Sequence, residues 1–383
     1  MNVPPLSLYV HLPWCVRKCP YCDFNSHTAG DDPPRRRYLD ALLLDLEQES
    51  QKALGRQVET VFLGGGTPSL FTPDEIARLL EGVRHHLVLA EGAEITMEAN
   101  PGTVDCGDPA GYREAGVNRL SIGGQSFNDE LLKRLGRIHS GADVRQAVDA
   151  ARAAGIDNIN IDLMHGLPGQ GPDAALSDIR AAAELGPAHI SWYQLTLEPN
   201  TVFFARPPEG MPDDDRAFAI QDMGQELLAS LGFEQYEVSA YARAGEICRH
   251  NLNYWQFGDY LAVGAGAHGK MTDRDGIYRY AKPANPLQYM NCLEAGDTNG
   301  EPRTIEGDEV VFEFMLNALR LVDGFDERLY GERTGRDASE LDEIMAAASE
   351  KRLVVRDESG WRPTALGRRF LNDLQAEFLP GKC

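Results

Sequence analysis

The chain has 383 residues, 43% of them hydrophobic, and a formal net charge of −22 at pH 7, which together suit a large domain with a sizeable core plus a smaller one. This acidity argues against nucleic acid and anionic lipid surfaces as partners, because both select for basic patches. No apolar run approaches the roughly 20 residues of a membrane-spanning helix, and seven cysteines do not suggest a disulfide framework, so we expect a cytoplasmic protein without direct membrane insertion.

Apolar runs alternate with amphipathic stretches through the first part of the chain. Strands are predicted at 6–10, 58–63, 95–98, 119–122, 156–163 and 189–197. Helices are predicted at about 35–53, from 73 onward, and near 107–115, 128–134, 142–154, 173–185 and 215–231. The helix from Pro73 has Thr72 as its N-cap and Glu75 three residues after the cap. Strands that alternate with helices form parallel units, so this count predicts an α/β fold with an open or partial (β/α)6 barrel.

The pattern changes after residue 235, which predicts three parts: a barrel domain over 1–235, a connecting segment over 236–300 and a C-terminal domain over 301–383. The connecting segment is rich in Gly, Tyr and Asn. In the last part, helix-like runs at 310–319 and 341–351 precede a strand pair at 353–356 and 361–363 and a closing helix at about 365–379. Helices followed by a two-stranded wing indicate a small winged-helix-like domain.

Three cysteines follow the first strand closely. Cys15, Cys19 and Cys22 have the spacing C-x3-C-x2-C, so their thiolates can converge on one metal centre. Three protein ligands on a cubane iron–sulfur cluster would leave one iron open to a small molecule. A structural zinc site with His11 or His27 as its fourth ligand is the alternative, as are three ordinary thiols.

Other chemistry-bearing residues also fall at or just beyond predicted strands. Gly64-Gly-Gly-Thr67 follows the second strand, Glu98 ends the third, Gln125 follows the fourth and Asp162 lies near the end of the fifth. In parallel barrels, functional residues gather at the carboxyl ends of the strands. Glycines there permit positive φ and close approach of backbone N–H groups to a ligand.

Ordered motifs along nearly the whole chain resemble one protein superfamily. The motifs are Tyr9-Val-His-Leu-Pro-Trp-Cys15, Cys19-Pro-Tyr-Cys22-Asp-Phe24, Gly64-Gly-Gly-Thr-Pro-Ser69, Glu98-Ala-Asn-Pro-Gly102, Gly123-Gly-Gln-Ser-Phe127, Gly136-Arg-Ile-His139, Asp162-Leu-Met-His-Gly-Leu-Pro168 and His250-Asn-Leu-Asn-Tyr-Trp255. They resemble the radical S-adenosylmethionine (SAM) superfamily, in the branch of the oxygen-independent coproporphyrinogen III oxidases and the HemW-type haem chaperones. Within that branch the chain looks like the chaperones. The oxidases carry another cysteine where this chain has Phe24, and a longer segment ahead of the cysteine loop.

The resemblance implies a [4Fe–4S] cluster on the three cysteines, with SAM at the fourth iron. It also implies contacts between SAM and a set of polar, aromatic and glycine positions, some of them to a second SAM molecule. These positions are Tyr9, Tyr21, Gly65, Gly66, Thr67, Glu98, Gln125, Arg137, Asp162, Thr196 and His268.

The segment from His250 to Trp255 carries the hypothesis of haem binding. Histidine can ligate haem iron, and aromatic neighbours can flank the macrocycle. The resemblance to the HemW-type proteins makes His250 the candidate haem ligand, and Cys248 is an alternative soft ligand. The alternative role of this cluster of His, Asn and aromatic residues is structural, to fold the segment under the barrel. Cys106, Cys292 and Cys383 are interpreted as ordinary thiols.

Three functions follow from these observations. The first is a haem chaperone that delivers haem to acceptor proteins such as membrane-bound respiratory enzymes. The second is an oxygen-independent coproporphyrinogen III oxidase, which Phe24 argues against, so catalytic activity is left open. The third is a structural protein whose cysteines hold zinc.

Overall fold

The computed structural model of the chain describes residues 3–102, 108–297 and 300–381. Its strands are β1 (Leu6–Leu12), β2 (Trp14–Cys15), β3 (His27–Thr28), β4 (Gln57–Gly65), β5 (Val88–Ala99), β6 (Arg119–Gln125), β7 (Asn158–His165), β8 (His189–Gln194), β9 (Glu234–Glu237), β10 (Ala240–Ala242), β11 (Asp259–Val263), β12 (His268–Thr272), β13 (Ile277–Ala281), β14 (Arg303–Ile305), β15 (Val354–Asp357) and β16 (Gly360–Pro363). Its helices are α1 (Arg35–Ala53), α2 (Pro73–His86), α3 (Pro109–Ala115), α4 (Asp129–Arg134), α5 (Gly141–Ala153), α6 (Pro172–Glu184), α7 (Val202–Ala205), α8 (Asp214–Ser230), α9 (Arg249–Trp255), α10 (Pro286–Glu294), α11 (Asp308–Ala318), α12 (Glu327–Thr334), α13 (Asp342–Glu350), α14 (Ala365–Arg369) and α15 (Leu371–Ala376). Within these ranges, none of the helices has the length and apolar character that crossing a membrane requires.

Six parallel strands form the centre of the fold. Their order in the sheet, β1-β4-β5-β6-β7-β8, follows the order of the chain, and each neighbouring pair is parallel. The helices between them share one core with the strands, because apolar side chains at helical spacing, such as Leu39, Leu42 and Leu46 of α1, are buried. Among the described residues the sheet ends at β14 and at β9, so it does not close. The predicted α/β fold with an open (β/α)6 barrel is therefore confirmed.

Local signals set some element boundaries and not others. Helix α2 begins as predicted: the side chain of Thr72 accepts the N–H of Glu75, and the Glu75 carboxylate accepts the N–H of Thr72, with Pro73 in the first position. The strand predicted at 189–197 ends at Gln194, so Thr196 lies in the following loop, where it is exposed.

The connecting segment adds strands to both edges of the barrel sheet. Strand β11 pairs in parallel with β1, and β12 and β13 extend that edge as antiparallel strands. Strand β14, from the start of the predicted C-terminal part, pairs antiparallel with β13. On the opposite edge, β10 pairs antiparallel with β8. The segment is therefore part of the barrel sheet, while the domain boundaries at residues 235 and 300 stay predictions.

The C-terminal part has its own apolar core, in which Phe314, Tyr330 and Met345 are fully buried. Strands β15 and β16 pair antiparallel as the predicted wing. The prediction of a single helix at 365–379 is wrong, because the structure has two short helices, α14 and α15, in this range. They are separated by Phe370, whose backbone is not helical (φ −112°, ψ 43°). Phe257 and Ile277 of the connecting segment belong to the same core, which ties the C-terminal part to the barrel.

Candidate cofactor site at the open end of the barrel

The carboxyl ends of the parallel strands surround a cavity of about 390 Å³. Parallel strands present their carboxyl ends at one edge of the sheet, so residues far apart in sequence meet there. The cavity is lined by most of the predicted site residues: Cys15, Cys19, Tyr21, Cys22, Gly65, Gly66, Thr67, Glu98, Gln125, Arg137 and Asp162. The structure thus brings together every predicted site residue except Tyr9, Thr196, His250 and His268.

Each of the three cysteine thiols has its own polar neighbour. Thr67 Oγ1 lies 3.5 Å from Sγ of Cys15, and Arg137 Nη1 lies 3.6 Å from Sγ of Cys19. The hydroxyl of Ser26 lies 3.8 Å from Sγ of Cys22. Donors of this kind stabilise a thiolate, the form of cysteine that binds metals.

Burial of the thiols opposes that effect. Desolvation raises the pKa of Cys15 and Cys22, partly offset by the hydrogen bonds from Thr67 and Ser26 respectively. Among the described residues, no group of three His, Cys, Asp or Glu side chains is arranged to hold a metal ion. Cys106 and Cys383, interpreted as ordinary thiols, lie outside the described residues, and Cys292 is a free thiol on α10.

The glycine run after β4 packs against the cysteine loop. The N–H groups of Gly66 and Thr67 donate to the carbonyl oxygens of Leu12 and Trp14, at 2.8 Å in both cases. A Cβ on Gly66 would lie 2.6 Å from the Trp14 oxygen, which is too close for any other residue. The N–H of Gly65 donates to Glu98 Oε2 at 3.0 Å. The three amide N–H groups therefore donate to acceptors within the protein. The glycines allow the backbone after β4 to pack closely against the backbone of the cysteine loop.

Two carboxylates, those of Glu98 and Asp162, line the cavity. Burial raises the pKa of Glu98 to about 7, with a further contribution from the negative charge of Asp162 and an opposing one from the N–H of Gly65. Burial also raises the pKa of Asp162, although Asn160 and Ser121 donate to its oxygens at 2.7 and 3.1 Å. Carboxylate oxygens accept hydrogen bonds from hydroxyl groups, so the pair suits a ribose.

Gln125 and Arg137 line the same cavity, and together with Glu98 and Asp162 they form its polar wall. Gln125 has a left-handed backbone (φ 65°), which is uncommon outside glycine, and its Oε1 accepts the hydroxyl of Tyr193 at 2.8 Å. Arg137 donates from Nη2 to the carbonyl oxygen of Gly123 at 2.9 Å, while its Nε is buried without a hydrogen-bond partner among the described residues. A guanidinium with an unused buried donor suits a carboxylate ligand.

Tyr9 and His268 line a neighbouring cavity of about 610 Å³ instead. Phe24, Gly65 and Glu98 line both cavities, so the two adjoin at the cysteine loop and the end of β4. Thr196 lines neither cavity.

His250 lies inside the protein and not on a cavity wall. Its ring is 1% exposed, with Nδ1 2.7 Å from Thr60 Oγ1 and Nε2 2.9 Å from the hydroxyl of Tyr254. Since Thr60 donates its own proton to Ser7, Nδ1 donates to Thr60 and Nε2 accepts from Tyr254. Burial, with the charge of Arg119, lowers the pKa of His250 to about 3, so the ring is neutral. Haem ligation by His250 stays a prediction, and it would require the ring to leave both partners.

Several polar residues of the barrel interior were not predicted as site residues from the sequence. Ser121, Ser191 and Tyr193 line the cysteine cavity, and Asn160 supports Asp162 from below by also contacting His189 Nδ1 at 2.7 Å. The signal was present in the strands: polar residues recur at every second position of β7 and β8. This period of two places them on one face, the barrel interior.

Comparison with known proteins agrees with this geometry. The radical SAM superfamily matches residues 9–182, a range that includes all three cysteines of the loop. The HemN C-terminal domain matches residues 305–370. As a radical SAM protein, the chain has a [4Fe–4S] cluster and SAM as its cofactors.

A solved structure of similar fold also covers almost the whole chain. The coproporphyrinogen III oxidase HemN from Escherichia coli, described as a radical SAM enzyme, superposes with a TM-score of 0.82 over 98% of this chain and 90% of that one, at 24% sequence identity. At that identity the likeness concerns the fold alone.

Curated relatives are more similar in sequence. The chain is 46% identical to the heme chaperone HemW of Haemophilus influenzae and 47% identical to that of Escherichia coli, in each case over 99% of both chains. It is 32% identical to the heme chaperone HemW of Bacillus subtilis, over 97% of this chain and 99% of the relative. The chain therefore belongs to the HemW family, within the radical SAM superfamily.

Proposed function

We propose that this protein is a haem chaperone, which binds haem and transfers it to acceptor haem proteins such as membrane-bound respiratory enzymes. The observation that carries the proposal is the identity of 46–47% over 99% of the chain to two relatives named heme chaperone HemW. The open end of the barrel supports it, because two adjoining cavities there offer room for a cofactor and for a separate cargo.

Cys15, Cys19 and Cys22 are the proposed ligands of the [4Fe–4S] cluster. The three thiols line one cavity, and each has a hydroxyl or guanidinium neighbour within 3.8 Å, so the donor set fits an iron–sulfur cluster with one open iron. When bound, the reduced cluster supplies the electron that cleaves SAM.

The polar wall of the same cavity is the proposed binding site of SAM. Arg137 would hold the methionyl carboxylate through its unused Nε, and the carboxylates of Glu98 and Asp162 would accept the ribose hydroxyls. Tyr21, between two of the cysteines, would contact adenine. Gly65, Gly66, Thr67 and Gln125 line the same cavity and are further proposed SAM contacts. Tyr9 lines the neighbouring cavity and Thr196 lines neither, so SAM contact by these two residues stays a prediction from the sequence.

The alternative function, coproporphyrinogen III oxidase, has less support. At 24% identity, the similar fold of the oxidase is no evidence that this chain has the same activity. The position of the oxidases' extra cysteine is occupied by Phe24, which is 61% exposed. We also propose that the protein acts in the cytoplasm, since the cysteines of the described residues are all free thiols.

A haem titration of the full-length protein, anaerobically reconstituted with iron and sulfide, tests the function. We expect saturable binding with a shift of the Soret band, followed by transfer of the bound haem to an apo-haemoprotein in a second step. The same sample incubated with coproporphyrinogen III, SAM and a reductant should leave the coproporphyrinogen intact. Absence of saturable binding together with decarboxylation of the propionates would replace the chaperone by the oxidase.

A further inference from the structure

The cavity beside the cysteine site has an aromatic wall formed by five Phe, Tyr and Trp side chains. Its lining includes residues of strand β1, the cysteine loop, helix α9 and strands β11 and β12, among them Tyr9, Phe24, Tyr254, Trp255, Tyr260 and His268. A volume of about 610 Å³ lies in the range of sites for drug-sized ligands, roughly 300–1,000 Å³. Aromatic rings of this kind pack well against a flat, apolar ring system.

His268 is a histidine of this wall that is open to a ligand. It is the first residue of β12, and its side chain is exposed and makes no hydrogen bond to any residue that the structure describes. The other histidine of the wall, His11, is 4% exposed, and its nitrogens lie 3.0 Å from the Tyr9 hydroxyl and 2.9 Å from the carbonyl oxygen of Asn25. Of the two, only His268 has ring nitrogens free to ligate iron.

Helix α9 explains how the segment predicted to bind haem can contribute without His250 touching the iron. Tyr254 and Trp255, at the end of that helix, line the cavity, whereas His250 lies one turn earlier and faces the interior. The hydrogen bond from the Tyr254 hydroxyl to His250 Nε2 fixes the tyrosine ring in place. His250 is therefore a positioning residue for the aromatic wall.

A second opening of about 440 Å³ is also lined by His268 and carries charge of both signs. Arg279 and Arg303 line it together with Glu301 and Glu313. Arg279 is paired with Glu313 at 2.5 Å and is partly buried, whereas Arg303 is 61% exposed and is paired at 2.6 Å with Glu309. Arg303 is thus an exposed cation in an opening that His268 also lines.

We propose that haem binds against this aromatic wall with His268 as an axial ligand of its iron, and with a propionate directed toward Arg303. The inference rests on the proposed function and gives it a site. Neutral imidazole is a common ligand of haem iron, and the wall supplies apolar contact for one face of the macrocycle. At this location haem would lie next to the SAM cavity, because Phe24, Gly65 and Glu98 line both cavities.

The test is a hemin titration of the full-length reconstituted protein and of His268→Gly, followed by absorbance and electron paramagnetic resonance. We expect the variant to bind hemin at least about tenfold more weakly, equivalent to about 1.4 kcal/mol, and to lose the spectrum of a histidine-ligated iron. Added imidazole should restore that spectrum, because it can occupy the space of the removed ring. The matched control is His85→Ala, which removes an exposed histidine of α2 and should change neither property.

Each outcome has a separate meaning. If the unchanged protein binds no hemin, the proposed function itself fails. If His268→Gly binds hemin with the affinity and spectrum of the unchanged protein, the site is wrong while the function stands. A variant that loses SAM affinity but keeps its hemin spectrum would assign His268 to SAM, as the sequence predicts, and would overturn the haem site. Iron content and thermal unfolding of the variant, expected to be unchanged, exclude a folding defect.

Discussion

The guanidinium Nη1 of Arg137 lies 3.6 Å from Sγ of Cys19, and its Nη2 lies 2.9 Å from the carbonyl oxygen of Gly123. One side chain thus connects the cysteine loop to the end of β6, across more than a hundred residues of sequence. Its Nε is left buried and without a partner among the described residues, in the wall of the cavity. The group is therefore held in place before any ligand arrives.

Replacing Arg137 by Met should weaken SAM binding by about 30-fold, or about 2 kcal/mol, because a buried charge pair would lose one partner. Arg137→Lys should recover only part of the affinity, since a single ammonium cannot reproduce the planar fork. Isothermal titration with SAM measures both effects. The control, Lys133→Met, removes a cation that is 69% exposed on α4 and should bind SAM normally. Equal affinity for SAM in Arg137→Met would contradict the assignment.

Single substitutions of Cys15, Cys19 or Cys22 by Ala should each abolish the visible absorbance of the reconstituted cluster and most of its bound iron. Two thiolates cannot hold a cubane cluster that needs three protein ligands here. Cys292→Ala, the same change on α10, should leave both readouts intact. Stoichiometric zinc in a colourless unchanged protein would instead support the structural metal site.

Gly66→Ala should displace the cysteine loop from β4. The new Cβ would lie 2.6 Å from the carbonyl oxygen of Trp14 and 2.7 Å from the carbonyl carbon of Pro13, both backbone atoms that cannot move alone. We expect a loss of about 1–3 kcal/mol in the free energy of unfolding and a lower iron content after reconstitution. In Gly171→Ala the nearest atom is the flexible end of Arg216 at 3.4 Å, so this control should be close to neutral. Unfolding in guanidinium compares the two variants, and equal stability would refute the packing argument.

Glu98 should make the ligand-free protein less stable as the pH rises. Its pKa is raised from 4.5 to about 7, so between these values the folded state binds more protons than the unfolded state. The free energy of unfolding contributed by Glu98 therefore falls as pH increases through that window. The difference in stability between the unchanged protein and Glu98→Gln, measured by denaturation from pH 4.5 to 7.5, isolates this contribution from the other titrating groups. A difference that does not vary with pH would show that Glu98 is not perturbed.

His250→Ala should destabilise the fold by about 2–4 kcal/mol, because it leaves a void and removes the partners of Thr60 and Tyr254 in the interior. Hemin binding should weaken less than in His268→Gly and should keep its histidine-ligated spectrum. Denaturation curves and the Soret band provide the two measurements. Loss of that spectrum in His250→Ala, with His268 unchanged, would identify His250 as the iron ligand after all.

Much of the site could be predicted because its components are local in sequence. The spacing of Cys15, Cys19 and Cys22 is a property of eight consecutive residues, and the capping box at Thr72 is a property of four. Strand alternation then placed Glu98 and Asp162 at one end of the barrel, since parallel strands share an orientation. By contrast, the support of Asp162 by Ser121 and Asn160 depends on how β6 and β7 pair, which no local pattern specifies.

The sequence by itself determined the class of the fold and the family, and it predicted the cysteine centre, because periodicity and motif spacing are carried by the order of residues. Only the tertiary structure decided which histidine is open to a ligand. His250 and His268 both stand in recognisable motifs, but burial and hydrogen bonding depend on the segments that pack around a side chain. The interior encloses His250 between Thr60 and Tyr254, whereas the turn into β12 leaves His268 exposed on a cavity wall.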